Sequence, residues 1–233
     1  SISCANTVLN TTVAEELKQF ADVLENADDF ETALHDLIKK TIKEHKRIIF
    51  NGDGYDESWV KEAEKRGLYN FKTTPDALAH MLDEKNITLF TSHNVYSKTE
   101  LVARHEVLLE NYCKIINIEA LTMLDMARKD ILPAMSEYSA ELARDAAAKT
   151  SFDPDVDCTY EKENIKNLCA LIGACNRAVK KTEQDLISAK SITDGAELAE
   201  FYKSTIIDDM KAIRIPADEM ETIASSEKWP YPS

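Results

Sequence analysis

The segment NYCKIINIEALTMLDMARKDILPAM, residues 111–135, is the longest part of the sequence with one continuous helical pattern of apolar residues. These residues recur at steps of three and four, the spacing that places side chains along one face of an α-helix. They are Ile115, Ile118, Leu121, Leu124, Ile131, Leu132 and Met135. The pattern predicts a buried helix and indicates no reaction.

The predicted helix extends beyond this segment in both directions. Ser97, with Glu100 three residues later, has the pattern of a capping box at its start, and the helical pattern continues to about Ala148. At about 1.5 Å per residue, such a helix is roughly 75 Å long. Pro133 lies inside it and is expected to kink it, because proline removes one backbone hydrogen bond and crowds the preceding turn.

Two more long helices are predicted downstream. Residues 161–190 carry a heptad-like apolar pattern, and residues 194–226 carry another in which Pro216 predicts a second kink. With the helix that ends near Ala148, they are expected to form an antiparallel bundle. The closing WPYPS, residues 229–233, is too apolar and too rich in proline for a free tail. We expect it to dock on another surface, within this chain or outside it.

The first part of the chain is expected to form shorter helices. The first of them is predicted to begin at a cap formed by Asn6 or Thr7. Its apolar positions are Val8, Leu9, Val13, Leu17, Phe20 and Leu24. Further helices are predicted over residues 29–46, from Asp56 or Ser58 to a C-cap at Gly67, and from a cap at Thr74 through Phe90.

The sequence therefore predicts an all-α fold in two parts. Short helices occupy residues 1–96, and an antiparallel bundle of long, partly kinked helices occupies residues 97–233. Composition agrees with this interpretation, because 44% of the 233 residues are hydrophobic and only five are glycine. A chain of this length and composition can bury a substantial core, whereas all-β and glycine-rich α/β folds are poorly supported.

The charge and the cysteines exclude several classes of function. The formal net charge is -14, spread along the chain, which argues against nucleic acid and anionic membrane surfaces as partners. The sequence has no apolar run of the roughly eighteen residues that a membrane span requires. The five cysteines include no CxxC pair and follow no secretory leader, so we expect reduced thiols in a cytoplasmic protein.

Three short patterns in the sequence are candidate binding sites. The turn NGDG, residues 51–54, could hold a nucleotide phosphate, but it lacks both the Lys-Ser/Thr ending of a P-loop and the GxGxxG spacing. Asp153, Asp155 and Asp157 resemble a calcium loop, but Cys158 stands where glycine is required and Asn164 where glutamate is required. A turn that caps the next helix is the simpler interpretation.

The third pattern is the basic cluster that ends the predicted helix over residues 29–46, formed by Lys43, His45, Lys46 and Arg47. Cations suit the negative end of a helix dipole, and a ligand patch is the alternative. The five histidines are scattered, and no serine has a GxSxG context. We therefore assign no catalytic, cofactor-binding or metal-binding residue.

Several longer motifs identify a family by resemblance. INIEALTMLDMARKDILPA, residues 116–134, closely resembles the C-terminal region of type III glutamine synthetases. The resemblance extends over most of the chain in the same order of motifs. These are NTVLNTTVAEEL at 6–17, IKEHKRIIFNGDGY at 42–55, EAEKRGLYNFKTTPDAL at 62–78, HNVYSKTEL at 93–101 and WPYPS at 229–233.

The resemblance implies a part of a large oligomeric enzyme that joins ammonia to glutamate with ATP and magnesium or manganese. Metal, ATP and glutamate sites of that family lie upstream of the matching region, so the fragment is expected to be inactive alone. Residues 1–96 would close the catalytic domain, and residues 97–233 would act in scaffolding, oligomer assembly or regulation. The implied partners are the rest of the synthetase chain and neighbouring subunits.

Two other interpretations accompany this one. By a looser resemblance, Tyr69 matches the position at which some type I synthetases carry a regulatory tyrosine. An ordinary packed or exposed tyrosine is the simpler interpretation. The second interpretation concerns the whole chain, which would be a free-standing helical adaptor that binds a protein partner in a bundle groove. The absence of an initiator methionine favours the excised fragment over the adaptor.

Overall fold

The structure is a computed structural model that describes residues 2–232. It divides into two compact units, one up to Glu106 and one from Val107 onward. The first unit contains five helices and the start of a sixth. Their bounds are α1 Ser3–Leu24, α2 Phe30–Glu44, a 3-10 turn Lys46–Ile48, α3 Glu57–Lys65, α4 Thr74–Leu78, α5 Glu84–Ser92 and α6 Lys98–Met126.

The second unit holds the rest of α6 and four more helices. They are α7 Leu132–Phe152, α8 Thr159–Ala189, α9 Gly195–Phe201 and α10 Ile207–Ile223, with π-helical segments at Ala127–Ile131 and Tyr202–Ile206. Residues 2–232 include no β-strand, and the prediction of an all-α fold is confirmed. The two units meet in sequence inside α6, whereas the functional boundary after Tyr96 stays a prediction.

The long helices of the second unit pack in antiparallel pairs. Between α8 and α10, Cys175 Sγ lies 4.0 Å from the carbonyl oxygen of Ile213, and Lys181 Nζ lies 2.5 Å from Asp209 Oδ1. The residue numbers rise on one helix as they fall on the other. Residues of α7 and the preceding π segment pair with α8 in the same sense, through Lys149 with Glu161 and Arg128 with Glu183.

The predicted apolar stripe of residues 111–135 is correct only in its second half. Leu124, Ile131 and Met135 are buried, but Ile115 and Ile118 are 55% and 63% exposed, and Leu121 is exposed as well. The cause is geometric. From Ile115 to Leu124 the pattern advances by three residues three times, and each step turns about 60° less than a full turn. The stripe therefore moves around the helix from one side to another. The buried face instead contains Leu109, Cys113, Ala120, Leu124, Ala127, Ile131 and Met135.

The long helix does run through Pro133, and it does so with a local change of winding. Helical backbone continues from Lys98 to Phe152, slightly beyond the predicted end, and the π segment Ala127–Ile131 directly precedes the proline. A π turn widens the helix next to Pro133, which has no amide hydrogen to donate. Pro216 lies inside α10, which continues past it, and the π segment of that helix lies upstream at Tyr202–Ile206.

The helix starts differ from prediction in two places. The first helix, α1, begins at Ser3, before the cap predicted at Asn6 or Thr7. The hydroxyls of Thr7 and Thr11 donate to carbonyl oxygens four residues earlier, so both residues lie inside the helix and do not cap it. The helix predicted from Thr74 to Phe90 is two helices, since the backbone turns at residues 79–83 and the Asn86 side chain donates to the carbonyl of His80 at 2.7 Å. Thr73 caps the first of them.

The closing residues dock on the long helix of their own unit. The Tyr231 hydroxyl donates to Asp130 Oδ2 at 2.6 Å, and Lys228 Nζ pairs with Glu141 Oε2 at 2.5 Å. Burial, together with the hydrogen bond to Asp130, raises the pKa of Tyr231 to about 12. The apolar end of the chain thus covers part of the surface around the π segment.

A buried carboxyl group lies between α8 and α10. Asp209 is buried, its Oδ1 contacts Lys181 Nζ, and the same ammonium group lies 2.7 Å from Asp185 Oδ2. Burial raises the pKa of Asp209, whereas the hydrogen bond from Lys181 lowers the pKa of Asp185. The two carboxyl groups share one ammonium group, and the buried one holds its proton more strongly.

Replacing Asp209 by asparagine is expected to make stability less dependent on pH. Because the folded-state pKa of Asp209 is raised, its stabilising contribution is present below the ordinary value of 3.8 and is lost as pH rises through the raised value. The free energy of unfolding of the parent chain, minus that of Asp209→Asn, should therefore fall over this range. Each unit of pKa shift is worth about 1.4 kcal/mol.

Urea unfolding at several pH values between about 3 and 7 measures this difference. Asp208→Asn is the matched control, since it removes a carboxylate from a solvent-exposed position of the same helix. The expectation is contradicted if the free energy of unfolding of the parent chain, minus that of Asp209→Asn, increases as pH rises.

Candidate functional site

The first helix presents its apolar stripe to solvent. Leu9 and Leu17 are 62% and 61% exposed, and Val13 between them is also exposed. The three residues are spaced by four, so they share one side of α1. We call them the outward apolar face. The buried residue of this helix is Thr11, so the apolar positions seen in the sequence do not coincide with its buried side.

The polar side of α1 faces α5. His93 Nε2 lies 2.6 Å from Glu15 Oε2, and Gln19 donates to Glu15 Oε1 at 2.8 Å. The hydrogen bond from Gln19, followed by that from His93, lowers the pKa of Glu15. Thr11 on the same side donates to the carbonyl of Thr7. Phe20 and Leu24 are half-buried, so α1 has apolar as well as polar inward residues, and Leu9, Val13 and Leu17 remain on its exposed side.

The NGDG turn is packed as an aromatic loop. The apolar run before it forms a 3-10 turn over Lys46–Ile48 and no strand, so the strand-loop-helix resemblance does not hold. Phe50 stacks on Trp59 with ring centroids 4.0 Å apart. An added Cβ at Gly52 would lie 2.8 Å from the Phe50 ring, so this glycine makes room for an aromatic side chain.

The calcium-like aspartates make local contacts with the backbone. Asp153 Oδ1 accepts the amide of Asp155 at 3.0 Å, and Asp157 Oδ1 accepts the amide of Thr159 at 2.9 Å, at the start of α8. The hydrogen bond from Thr159 lowers the pKa of Asp157. These contacts are those of a turn and a helix cap. Over residues 2–232, no three His, Cys, Asp or Glu side chains are grouped so that they could hold a metal ion.

Tyr69 is an exposed aromatic residue. Its ring stacks on Phe71 with centroids 5.3 Å apart and on His80 at 5.9 Å. The residue as a whole is 77% exposed. A regulatory role for Tyr69 stays a prediction.

The feature that the sequence did not reveal is therefore the exposure of the outward apolar face, and the two candidate loops make local contacts. The apolar spacing in α1 was visible in the sequence, but the side of the helix that faces its own unit was not. The described helices also include none that is long and apolar enough to cross a membrane.

Comparison with known proteins identifies the family. Residues 33–150, about half of the chain, match the family model of the glutamine synthetase C-terminal domain. The chain is 36% identical over 208 residues to a glutamine synthetase of Butyrivibrio fibrisolvens, covering 89% of this chain and 30% of that protein. It is 32% identical over 236 residues to a type-3 glutamine synthetase of Dictyostelium discoideum, covering 97% and 32%.

A glutamine synthetase of Bacteroides fragilis is 27% identical over 242 residues, which cover all of this chain and 33% of the relative. The chain thus spans about a third of the length of the curated relatives that it matches. The predicted resemblance to the C-terminal region of type III synthetases is confirmed. This chain belongs to the glutamine synthetase C-terminal domain family.

Proposed function

We propose that this chain is the C-terminal helical region of a glutamine synthetase and acts in scaffolding and assembly of that enzyme. The full enzyme would join ammonia to glutamate in the cytoplasm, with ATP and magnesium or manganese. The reacting groups would come from segments upstream, so this region would carry no catalytic, cofactor-binding or metal-binding residue. Its partners would be the rest of the synthetase chain and neighbouring subunits.

The observation that carries this proposal is the outward apolar face of α1. Leu9, Val13 and Leu17 are exposed in their own unit, whereas Glu15 of the same helix contacts His93, and a contiguous exposed apolar surface usually marks an interaction site. The relatives are about three times as long as this chain, which provides a partner. We assign the outward apolar face to contact with the upstream part of the synthetase.

The exposed residues of α6 support a second contact. Ile115, Ile118 and Leu121 lie outside the core of their unit, although they form part of the most regular apolar pattern in the sequence. A neighbouring subunit would cover them in the assembled enzyme. Regulation through the long helices is a further part of the proposal and concerns the same surface.

The proposal is tested by supplying the two parts of the synthetase as separate chains. We expect the present chain alone to form no glutamine from glutamate, ammonia, ATP and magnesium, because it lacks the reacting groups. When it is co-expressed with the upstream part, the two should co-purify and form glutamine, as measured by a glutamine assay and by the mass of the complex. The intact enzyme is the positive control.

Glutamine formation by the present chain alone would contradict the assignment of catalysis to the upstream part. Co-expressed parts that remain separate while the intact enzyme is active would contradict the contact through α1. A free-standing adaptor would behave in this second way, so the experiment also distinguishes the two classes of function.

A further inference from the structure

A groove of ≈ 830 Å³ at the C-terminal end of α2 is lined by positive charge. Its cationic residues are Lys39, Lys43, Lys46, Arg47 and Arg66. We call this the basic groove. Its sign is opposite to that of the chain, whose formal net charge is -14. Cations gathered in a concave surface focus an attractive field on anions.

The fold brings these cations together from three elements. Lys39 and Lys43 lie one turn apart on α2, Lys46 and Arg47 lie in the 3-10 turn, and Arg66 directly follows α3. The basic cluster predicted from the sequence contained Lys43, Lys46 and Arg47, and Lys39 lies one helical turn before it. Only the packing of α3 beside the 3-10 turn adds the fifth.

Arg66 is held in place before any ligand arrives. Its Nε lies 2.7 Å from Glu62 Oε1, and its Nη1 donates to the carbonyl oxygens of Arg47 at 3.3 Å and Ile49 at 3.1 Å. These bonds tie the end of α3 to the backbone of the 3-10 turn. Arg47 Nη1 lies 4.0 Å from the position of a Cβ on Gly67, whose φ of +72° suits glycine. The Arg66 guanidinium group is therefore fixed by backbone carbonyls, and the Arg47 guanidinium group lies beside Gly67.

The remaining four cations lack carboxylate partners. Within residues 2–232, Lys39, Lys43, Lys46 and Arg47 form no ion pair, and no acidic side chain lines the groove. Lys39 with Lys43, and Lys43 with Arg47, are like charges four residues apart. The first pair lies within α2, where like charges at this spacing destabilise the helix. An anion in the groove would offset this repulsion.

The chemistry of the lining favours a compact and highly charged anion. Beyond the cations, the groove is lined by Ile42 and Ile49, both about half exposed, and within the described chain it includes no neutral hydrogen-bonding side chain. An extended acidic peptide places successive side chains on opposite faces, so only alternate carboxylates would face the groove. Linked phosphoryl groups place several charges in a small volume, and lysine and arginine both bind them well.

We propose that the basic groove binds an oligophosphate, a ligand with two or more linked phosphoryl groups. This site goes beyond the proposed scaffold function and does not depend on it. The lysines supply mobile ammonium groups, and the two guanidinium groups bind phosphoryl oxygens in a planar geometry. Ile42 and Ile49 offer an apolar contact to whatever the phosphates are attached to.

Isothermal titration calorimetry of the 233-residue chain tests the site, with inorganic triphosphate as the probe. The variant Lys43→Gln with Arg47→Gln removes two exposed cations and is expected to weaken triphosphate binding at least tenfold. Lys18→Gln with Lys180→Gln lowers the net charge equally at exposed positions on α1 and α8, and it should leave binding within about twofold. Lys43→Arg with Arg47→Lys keeps the charges and should retain binding.

Further titrations identify the ligand. Orthophosphate should bind more weakly than triphosphate, because it carries fewer charges. Metal-free ATP that binds as tightly as triphosphate indicates recognition of the phosphate chain alone, and tighter binding indicates use of Ile42 and Ile49 as well. The site is overturned if triphosphate does not bind at millimolar concentration, if a polyglutamate peptide binds in its place, or if both charge-removing variants lose binding equally.

Discussion

Replacing Leu168 by alanine is expected to lower the free energy of unfolding of residues 107–233 by about 2–5 kcal/mol. Leu168 is fully buried in the first third of α8, a helix that packs against both α7 and α10. Truncation removes apolar contacts and leaves a cavity that antiparallel helices on both sides cannot easily fill. Ile187→Ala is the matched control, because Ile187 lies on the same helix and is 66% exposed.

The two tryptophans make the measurement specific, since Trp59 belongs to the first unit and Trp229 to the second. In a Trp59→Phe background, tryptophan fluorescence during urea unfolding reports on the second unit alone. Leu168→Ala should shift the midpoint strongly, and Ile187→Ala should change the free energy of unfolding by less than about 0.5 kcal/mol. Equal shifts for the two variants would contradict the central position of α8.

Replacing Leu9 and Leu17 by serine is expected to have a small effect on the chain alone and a large effect on the full-length synthetase. In the chain alone, both side chains are mostly in solvent, so stability should change by less than about 1 kcal/mol. In the full-length synthetase, the proposed contact would bury them, and each buried leucine is worth about 1.5–3 kcal/mol. The two substitutions together would remove roughly 3–6 kcal/mol of free energy from the proposed contact. We therefore expect the full-length variant to lose at least about 90% of its glutamine-forming activity.

Activity, mass by light scattering and urea unfolding should be measured for both proteins. Glu16→Ser with Lys18→Ser is the control, because it changes two exposed polar residues of the same helix. The expectation fails if Leu9→Ser with Leu17→Ser leaves the full-length enzyme unchanged. It also fails if the same variant unfolds the chain alone, since the leucines would then belong to the core of their own unit.

Local features were predictable because they depend on neighbouring residues. The amide of Glu100 donates to Ser97 Oγ at 3.2 Å, as the capping pattern indicated. Gly67 has the positive φ expected of a residue that ends a helix. Asp29 caps α2, where the helix was predicted to start. The antiparallel bundle also followed from long helical patterns separated by short breaks.

Features that depend on the direction of a helix face were not predictable. The stripe through Ile115, Ile118 and Leu121 has steps that a helix can bury, but the drift of those steps carries it away from the core. The spacing of Leu9, Val13 and Leu17 identifies one side of α1 and does not identify what covers it. Contacts with residues distant in the sequence, such as His93 with Glu15, 78 residues apart, show which side of this helix faces its own unit.

The sequence by itself therefore determined that the chain is helical, where most helices end, and which family its motifs resemble. Each of these depends on short-range spacing, caps and turn residues, or on residue order. Only the tertiary structure decided which apolar stripes are buried and which face outward, and that Arg66 joins four cations from another part of the chain. The reason is that a helix can have more than one apolar face, and the elements that pack against it determine which face is buried.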